Sequence, residues 1–287
     1  MIKKVFVLVL ALLMGLTTFM GCAEKADWED DGALKILTIG NSFSDDAVEY
    51  MWDIATSLGV EEVLVANLFI SNTGLDKHLN NAKSNLPLYE YRSNSNGTWR
   101  QDNRKKMIDV LTSETWDFIS VQQVSSTSGD QSTFDALNEF VEIIQQNVPT
   151  AKIVWHMTWA YQSDFDDARF ELYNKNQIQM YQAIVDAVQS KVTVNQNITA
   201  IIPNGTAIQN ARTSLLGDTL TRDGLHLTKT TGRYIAGLTF IQVLTGLDIS
   251  EVEFVPSGVE DSVKGICIES VKNAILTPYS VTNSIHV

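Results

Sequence analysis

Leu34-Lys-Ile-Leu-Thr-Ile-Gly-Asn-Ser-Phe-Ser44 decides how the rest of the chain is read. Leu34, Ile36, Leu37 and Ile39 make a short apolar run with a β-branched bias, the pattern of a buried strand. Gly40 stops the run. Asp45 and Asp46 then open a segment in which Val48, Met51, Trp52, Ala55 and Leu58 recur at helical spacing before Gly59. Ser42 therefore falls on a strand-to-helix turn at the carboxyl edge of an expected parallel sheet, where open α/β sheets place their chemistry. A serine on such a turn, with backbone N–H groups facing the same space, is placed to act as a nucleophile. Gly-Asn-Ser is also ordinary turn chemistry, so the tripeptide alone does not decide between the two readings.

Outward from that stretch, strands alternate with helices. Val63–Ile70 reads as a second strand, followed by a loop at Ser71-Asn72-Thr73-Gly74. Residues 80–103, rich in Asn, Ser and Arg, read as a long surface excursion with a hairpin around Asn96-Gly97. Further strands are expected at Phe118–Val121, Ile153–Trp155 and Ile198–Ile202, the last stopped by Pro203. Helical spacing marks Met107–Leu111, Phe134–Ile144, a long segment Ala168–Gln189, and Thr228–Leu244. The alternation argues for a parallel sheet covered on both faces. It predicts one domain over 34–287, with its core ending near Gly246 and a C-terminal appendage over 247–287.

The ends and the composition bound the rest. Residues 1–21 have the form of a secretory signal, with Lys3 and Lys4 followed by an apolar run from Val5 to Leu16. Gly21-Cys22 resembles a bacterial lipobox, with Phe19 where Leu is usual. That resemblance implies a lipid anchor on Cys22 and a place in the bacterial cell envelope, on the outer membrane or cell surface. Residues 22–33 read as an acidic, solvated tether. Cys267, in an apolar setting, reads as a small buried hydrophobe. The net charge of −13, from 34 acidic and 21 basic residues, repels phosphate backbones and argues against nucleic acid. Only four histidines occur, and none pairs at metal-ligand spacing. No glycine-rich phosphate loop is present, so no cofactor or metal is expected.

Asp223-Gly-Leu-His226, just before the last strong helix, is the most informative partner for Ser42. A serine hydroxyl is a poor nucleophile until a base takes its proton, and imidazole, with a pKa of about 6.5, suits that task. The imidazole needs a carboxylate to fix its tautomer. Asp and His three residues apart can supply both from one turn, although Asp-x-x-His alone is a weak signal that a helix cap would also give.

Together, Gly40-Asn41-Ser42 and Asp223-x-x-His226 resemble the first and last blocks of the SGNH hydrolases, the GDSL family of esterases and lipases, with Asn in place of Asp at position 41. Gly74 stands where the second block contributes a backbone N–H. The third block, Gly-x-Asn-Asp, is absent, and Gln122-Gln123-Val124-Ser125 ends its strand instead. The resemblance is to a branch common among lipoproteins of gut anaerobes, marked also by Trp155–Trp159 and Gly232-Arg233-Tyr234. It implies a three-layer α/β/α sandwich with a mainly parallel, flavodoxin-like sheet, and a triad of Ser42, His226 and Asp223. The implied oxyanion hole uses the N–H groups of Ser42 and Gly74 and a carboxamide from Gln122 or Gln123. Trp155, Trp159 and Tyr161 are candidates for a wall against which a sugar stacks, or equally for core residues. Asn41 and His156 are candidate substrate contacts, with a buried structural role as the alternative for His156. The implied activity is hydrolysis of small acyl esters, acetyl foremost, on extracytoplasmic glycans. A non-catalytic glycan-binding lipoprotein, or a lipase or acyltransferase, stays open.

Overall fold

The computed structural model describes residue 26 and residues 28–287. The leader and Cys22 lie outside them. Seven strands form one sheet in the order β4-β3-β2-β1-β5-β6-β7. β1 (Ala33–Gly40), β2 (Glu62–Phe69), β5 (Phe118–Val121), β6 (Lys152–His156) and β7 (Ile198–Ile202) are parallel neighbours. β3 (Tyr89–Asn94) and β4 (Arg100–Lys105) add an antiparallel hairpin at one edge. β1 sits centrally, between β2 and β5, and its apolar run is buried as the pattern requires.

Because β1 leads to β2 on one side and the chain then returns to β5 on the other, right-handed crossovers put the helices on opposite faces. α1 (Ser42–Val48), α2 (Met51–Ser57), α7 (Asn204–Ala211), α8 (Thr231–Thr245) and α9 (Asp261–Leu276) pack in one group. α3 (Leu75–Ser84), α4 (Met107–Leu111) and α5 (Leu137–Asn147) pack in another. The architecture is the three-layer α/β/α sandwich. The strand order reverses at β1, so the carboxyl end of β1 is the switch point where such sheets open a crevice.

Several expectations change. The appendage over 247–287 is part of the core: Cys267, Val271 and Ala274 of α9 are buried, and Asn210 Nδ2 on α7 donates to Ser270 O. The tether is partly anchored, with Ala26 buried, its N–H donating to Val243 O, and the Trp28 indole N–H donating to Ala33 O. The excursion over 80–103 holds the last turn of α3 and most of the edge hairpin, whose turn lays Gly97 (φ +81°) against the Trp52 ring. The long helix over 168–189 is broken: a 3₁₀ turn, Ala168–Tyr173, ends where Asn174 and Lys175 take positive φ, and α6 (Gln177–Ala187) restarts from an Asn176 cap. Among the described residues no helix is long and apolar enough to cross a membrane.

Candidate active site

Ser42 is the first residue of α1, directly after its Asn41 cap. Asn41 Oδ1 accepts from the Phe43 N–H at 3.0 Å, satisfying one of the orphan donors of the first turn. The tight turn needs a glycine at position 40, because a Cβ there would lie 2.9 Å from the Gln122 carboxamide carbon and 2.8 Å from Ser44 Oγ. Asn41 Nδ2 donates to Thr73 O at 3.0 Å, tying the turn to the loop after β2. The Gly74 N–H that follows has no acceptor among the described residues. Gly74 is extended, so its need is space: a Cβ would come within 2.6 Å of Gln123 Oε1.

His226 meets Ser42 across 184 positions of sequence. Its Nε2 lies 2.8 Å from Ser42 Oγ, and its Nδ1 lies 2.7 Å from Asp223 Oδ2. A carboxylate only accepts, so Nδ1 carries the hydrogen and the Nε2 lone pair faces the serine hydroxyl. Partial burial pushes the Asp223 carboxyl up, but the hydrogen bonds from the His226 ring, the His226 N–H and the Leu225 N–H hold it below its ordinary value. Gly224, at φ +86°, closes this turn where any Cβ would strike the Phe165 ring. The three residues are therefore brought together: a hydroxyl, a ring nitrogen facing it, and a carboxylate on the ring's other nitrogen.

What brings the two segments together is a set of contacts that sequence spacing did not reveal. Asp46, on the helix that Ser42 begins, is buried and accepts from the Leu227 N–H at 2.8 Å. Arg222 Nη1 at 2.9 Å and Arg233 Nε at 2.9 Å reach the same carboxylate, and Arg233 Nη1 also pairs with Glu49 at 2.8 Å. Apolar contact backs this up. Phe43 stacks on Trp159 at 4.2 Å between ring centroids, and the Trp159 indole N–H donates to Leu225 O at 2.8 Å. The signal was faint: two adjacent acids after the serine, of which only Asp46 points inward, and an arginine directly before Asp223.

The expected substrate contacts are corrected by burial. Trp155, Trp159 and Tyr161 are core residues, so they form no exposed wall. Tyr161 Oη bonds Ser125 Oγ at 3.0 Å, and Asn41 and His156 are 2% and 1% exposed. The glutamines are corrected too. Gln123 Nε2 is spent on Thr133 O and Oγ1, and its Oε1 accepts from the Leu75 and Val124 N–H groups. Gln122 Nε2 donates to Asn41 Oδ1 at 3.1 Å, and its Oε1 lies 3.0 Å from His156 Nδ1. His156 Nε2 lies 2.9 Å from Asn204 Nδ2. Neither glutamine offers its amide to a developing oxyanion. His78 is buried against Tyr89 and Phe140. Among the described residues no group of three or more His, Cys, Asp or Glu is arranged to hold a metal ion.

Comparison with known proteins gives five findings. The model of DUF4886, a domain of unknown function, matches residues 35–274. A crystal structure of a DUF4886 family protein from Bacteroides uniformis ATCC 8492 is 39% identical, covers 88% of this chain and 98% of its own, and superposes with a TM-score of 0.84. A protein described as a candidate SGNH hydrolase from Slackia heliotrinireducens is 20% identical over 74% of this chain and 98% of its own, with a TM-score of 0.48. A candidate GDSL-like lipase from Parabacteroides merdae ATCC 43184 is 12% identical over 78% and 98%, with a TM-score of 0.47. No curated protein matches.

Proposed function

Starting from this chain's membership of the DUF4886 family, we propose that it is a serine esterase whose nucleophile is Ser42. The observation that supports this most is the pair of contacts at 2.8 and 2.7 Å that link Ser42 Oγ to His226 and His226 to Asp223. Ser42 Oγ attacks an ester carbonyl carbon while His226 Nε2 takes its proton, and Asp223 stabilises the imidazolium. The tetrahedral oxyanion rests on the Ser42 and Gly74 N–H groups, each such donor being worth ~3 kcal/mol. His226 then protonates the leaving alcohol. Water attacks the acyl-enzyme, giving its proton to His226, and His226 returns that proton to Ser42 Oγ as the acid is released.

The substrate reading is small acyl esters, acetyl foremost, on glycans outside the cell, reached by a domain held through lipid at Cys22. The Gly21-Cys22 motif supports the location. A groove of about 440 Å³ beside α1 supports the glycan. Trp99 and Arg100 of the edge hairpin face Asp45 and Glu49 there, offering an aromatic face with donors and acceptors to a polyhydroxylated ring. Asp45 lies one helical turn from Ser42.

The decisive experiment is labelling with a fluorophosphonate, together with hydrolysis of 4-nitrophenyl acetate. Wild type should label and turn over, and Ser42→Ala should abolish labelling and lower turnover at least ~10³-fold. Folded wild type that neither labels nor hydrolyses would leave the glycan-binding reading in its place.

A further inference from the structure

Building on the esterase reading, we infer that His156 is a positioning residue for the oxyanion hole. With Asn204 and Gln122 it orients the Asn41 carboxamide and, through Thr73, the Gly74 N–H.

The row lies along the carboxyl edge of the sheet, one side chain from each of four adjacent strand ends: Asn41 after β1, Gln122 after β5, His156 closing β6, and Asn204 after β7. Its directions follow from one fixed donor. The Phe43 N–H donates to Asn41 Oδ1, so that atom is an acceptor, and the group facing it from Gln122 has to be the amide Nε2. Gln122 Oε1 is thereby turned to His156, whose Nδ1 has to carry a hydrogen. A neutral ring then accepts at Nε2, and Asn204 Nδ2 supplies the donor. Burial keeps the ring neutral, with its pKa pushed down to about 3.

The far end of the row is what reaches the site. Asn41 Nδ2 holds Thr73 O, and the Thr73–Gly74 peptide is trans. A carbonyl drawn toward the buried carboxamide turns the N–H of the same peptide away from it. All four side chains are at most 2% exposed, so water cannot substitute for a missing member. A flipped Gln122 would set oxygen against oxygen at Asn41 and leave that peptide unguided.

Asparagine places its amide nitrogen where histidine has Nδ1, glutamine where histidine has Nε2, and leucine offers neither. In wild type, nitrogen-15 NMR should show His156 protonated at Nδ1 and bare at Nε2 from pH 5 to 8; a hydrogen on Nε2 overturns the inference. With 4-nitrophenyl acetate, His156→Leu should lower kcat about 100-fold at unchanged KM. His156→Asn should recover to within about tenfold of wild type, and His156→Gln should not. Equal kcat in the Asn and Leu variants, at matched thermal midpoints, overturns it as well. If wild type shows no Ser42-dependent hydrolysis, the esterase reading fails separately. The Gly74 and Ser42 amide cross-peaks then decide the positioning claim: displacement in the Leu variant with return in the Asn variant upholds it, and no displacement in the Leu variant refutes it.

Discussion

On one side of Ser42, Asp46 draws in Arg222, Arg233 and the Leu227 N–H; on the other, Asn41, Gln122, His156 and Asn204 are tied together without a single formal charge. The charged side joins α1 to a loop and the start of α8 some 180 positions later, and its arginines keep part of their surface in water. Charge tolerates that setting, because attraction survives small changes in angle and the solvated ends limit the desolvation cost. The uncharged side lies wholly beneath the surface at adjacent strand ends. An ion there would be expensive, whereas amides and a neutral ring are satisfied by direction alone. One side secures His226 against Ser42, and in the proposed esterase the other fixes the backbone that would receive the oxyanion.

The largest break in this comparison should come from acid. His156 in the row and His78 on the inner face of α3 are fully buried, and burial pushes the pKa of each down to about 3. Their unfolded value is about 6.5. Between those values the unfolded chain binds more protons than the folded one, so their contribution to stability is complete above pH 6.5 and shrinks as pH falls toward 3. Each costs ~1.4 kcal/mol per pH unit in that window, about 3 kcal/mol by pH 4. Denaturant midpoints from pH 7 to 4 read this directly. His78→Asn should remove close to half of the slope, and an unaltered slope would contradict the assignment.

On the charged side, Asp46→Asn leaves Arg222 and Arg233 without their carboxylate and should cost ~3–5 kcal/mol. Urea unfolding checks it, and a loss below about 1 kcal/mol would show that the arginines find water instead. The smallest effect is expected where the two sides meet. Trp159→Phe keeps a ring against Phe43 but gives up the bond to Leu225 O, about 1 kcal/mol. A thermal midpoint lowered by a few degrees, with Ser42 labelling retained, fits that view. Labelling lost at full stability would place Trp159 in the chemistry itself.

Much of this was legible in the chain. The run Leu34–Ile39 is a buried strand because β1 has neighbours on both sides, and Ser42 follows it as expected. Asp223 and His226 are readable because their partnership is local. Gln122 was misread because its partner depends on β5 lying between β1 and β6, and strand order is not written in any short motif. Trp159 and Tyr161 were open to two readings, since an aromatic near a strand end looks the same whether it faces solvent or core. α7 and α9 escaped notice for a related reason: α7 is buried on all sides, so it has no polar face to set a period. The break after Tyr173 rests on two left-handed residues, neither of them glycine.

The row along the strand ends has a polarity as well as a shape. From Asn204 through His156, Gln122 and Asn41 to the Thr73 carbonyl, every hydrogen points the same way, and the Thr73–Gly74 peptide continues the series to a bare N–H. Dipoles stacked head to tail reinforce one another, as they do along a helix axis. The negative pole is left on the buried, unpartnered Oδ1 of Asn204, at the β7 end of the row. The positive pole emerges at Gly74. Uncharged groups thus give the sheet a lasting electrical bias, set before any substrate arrives.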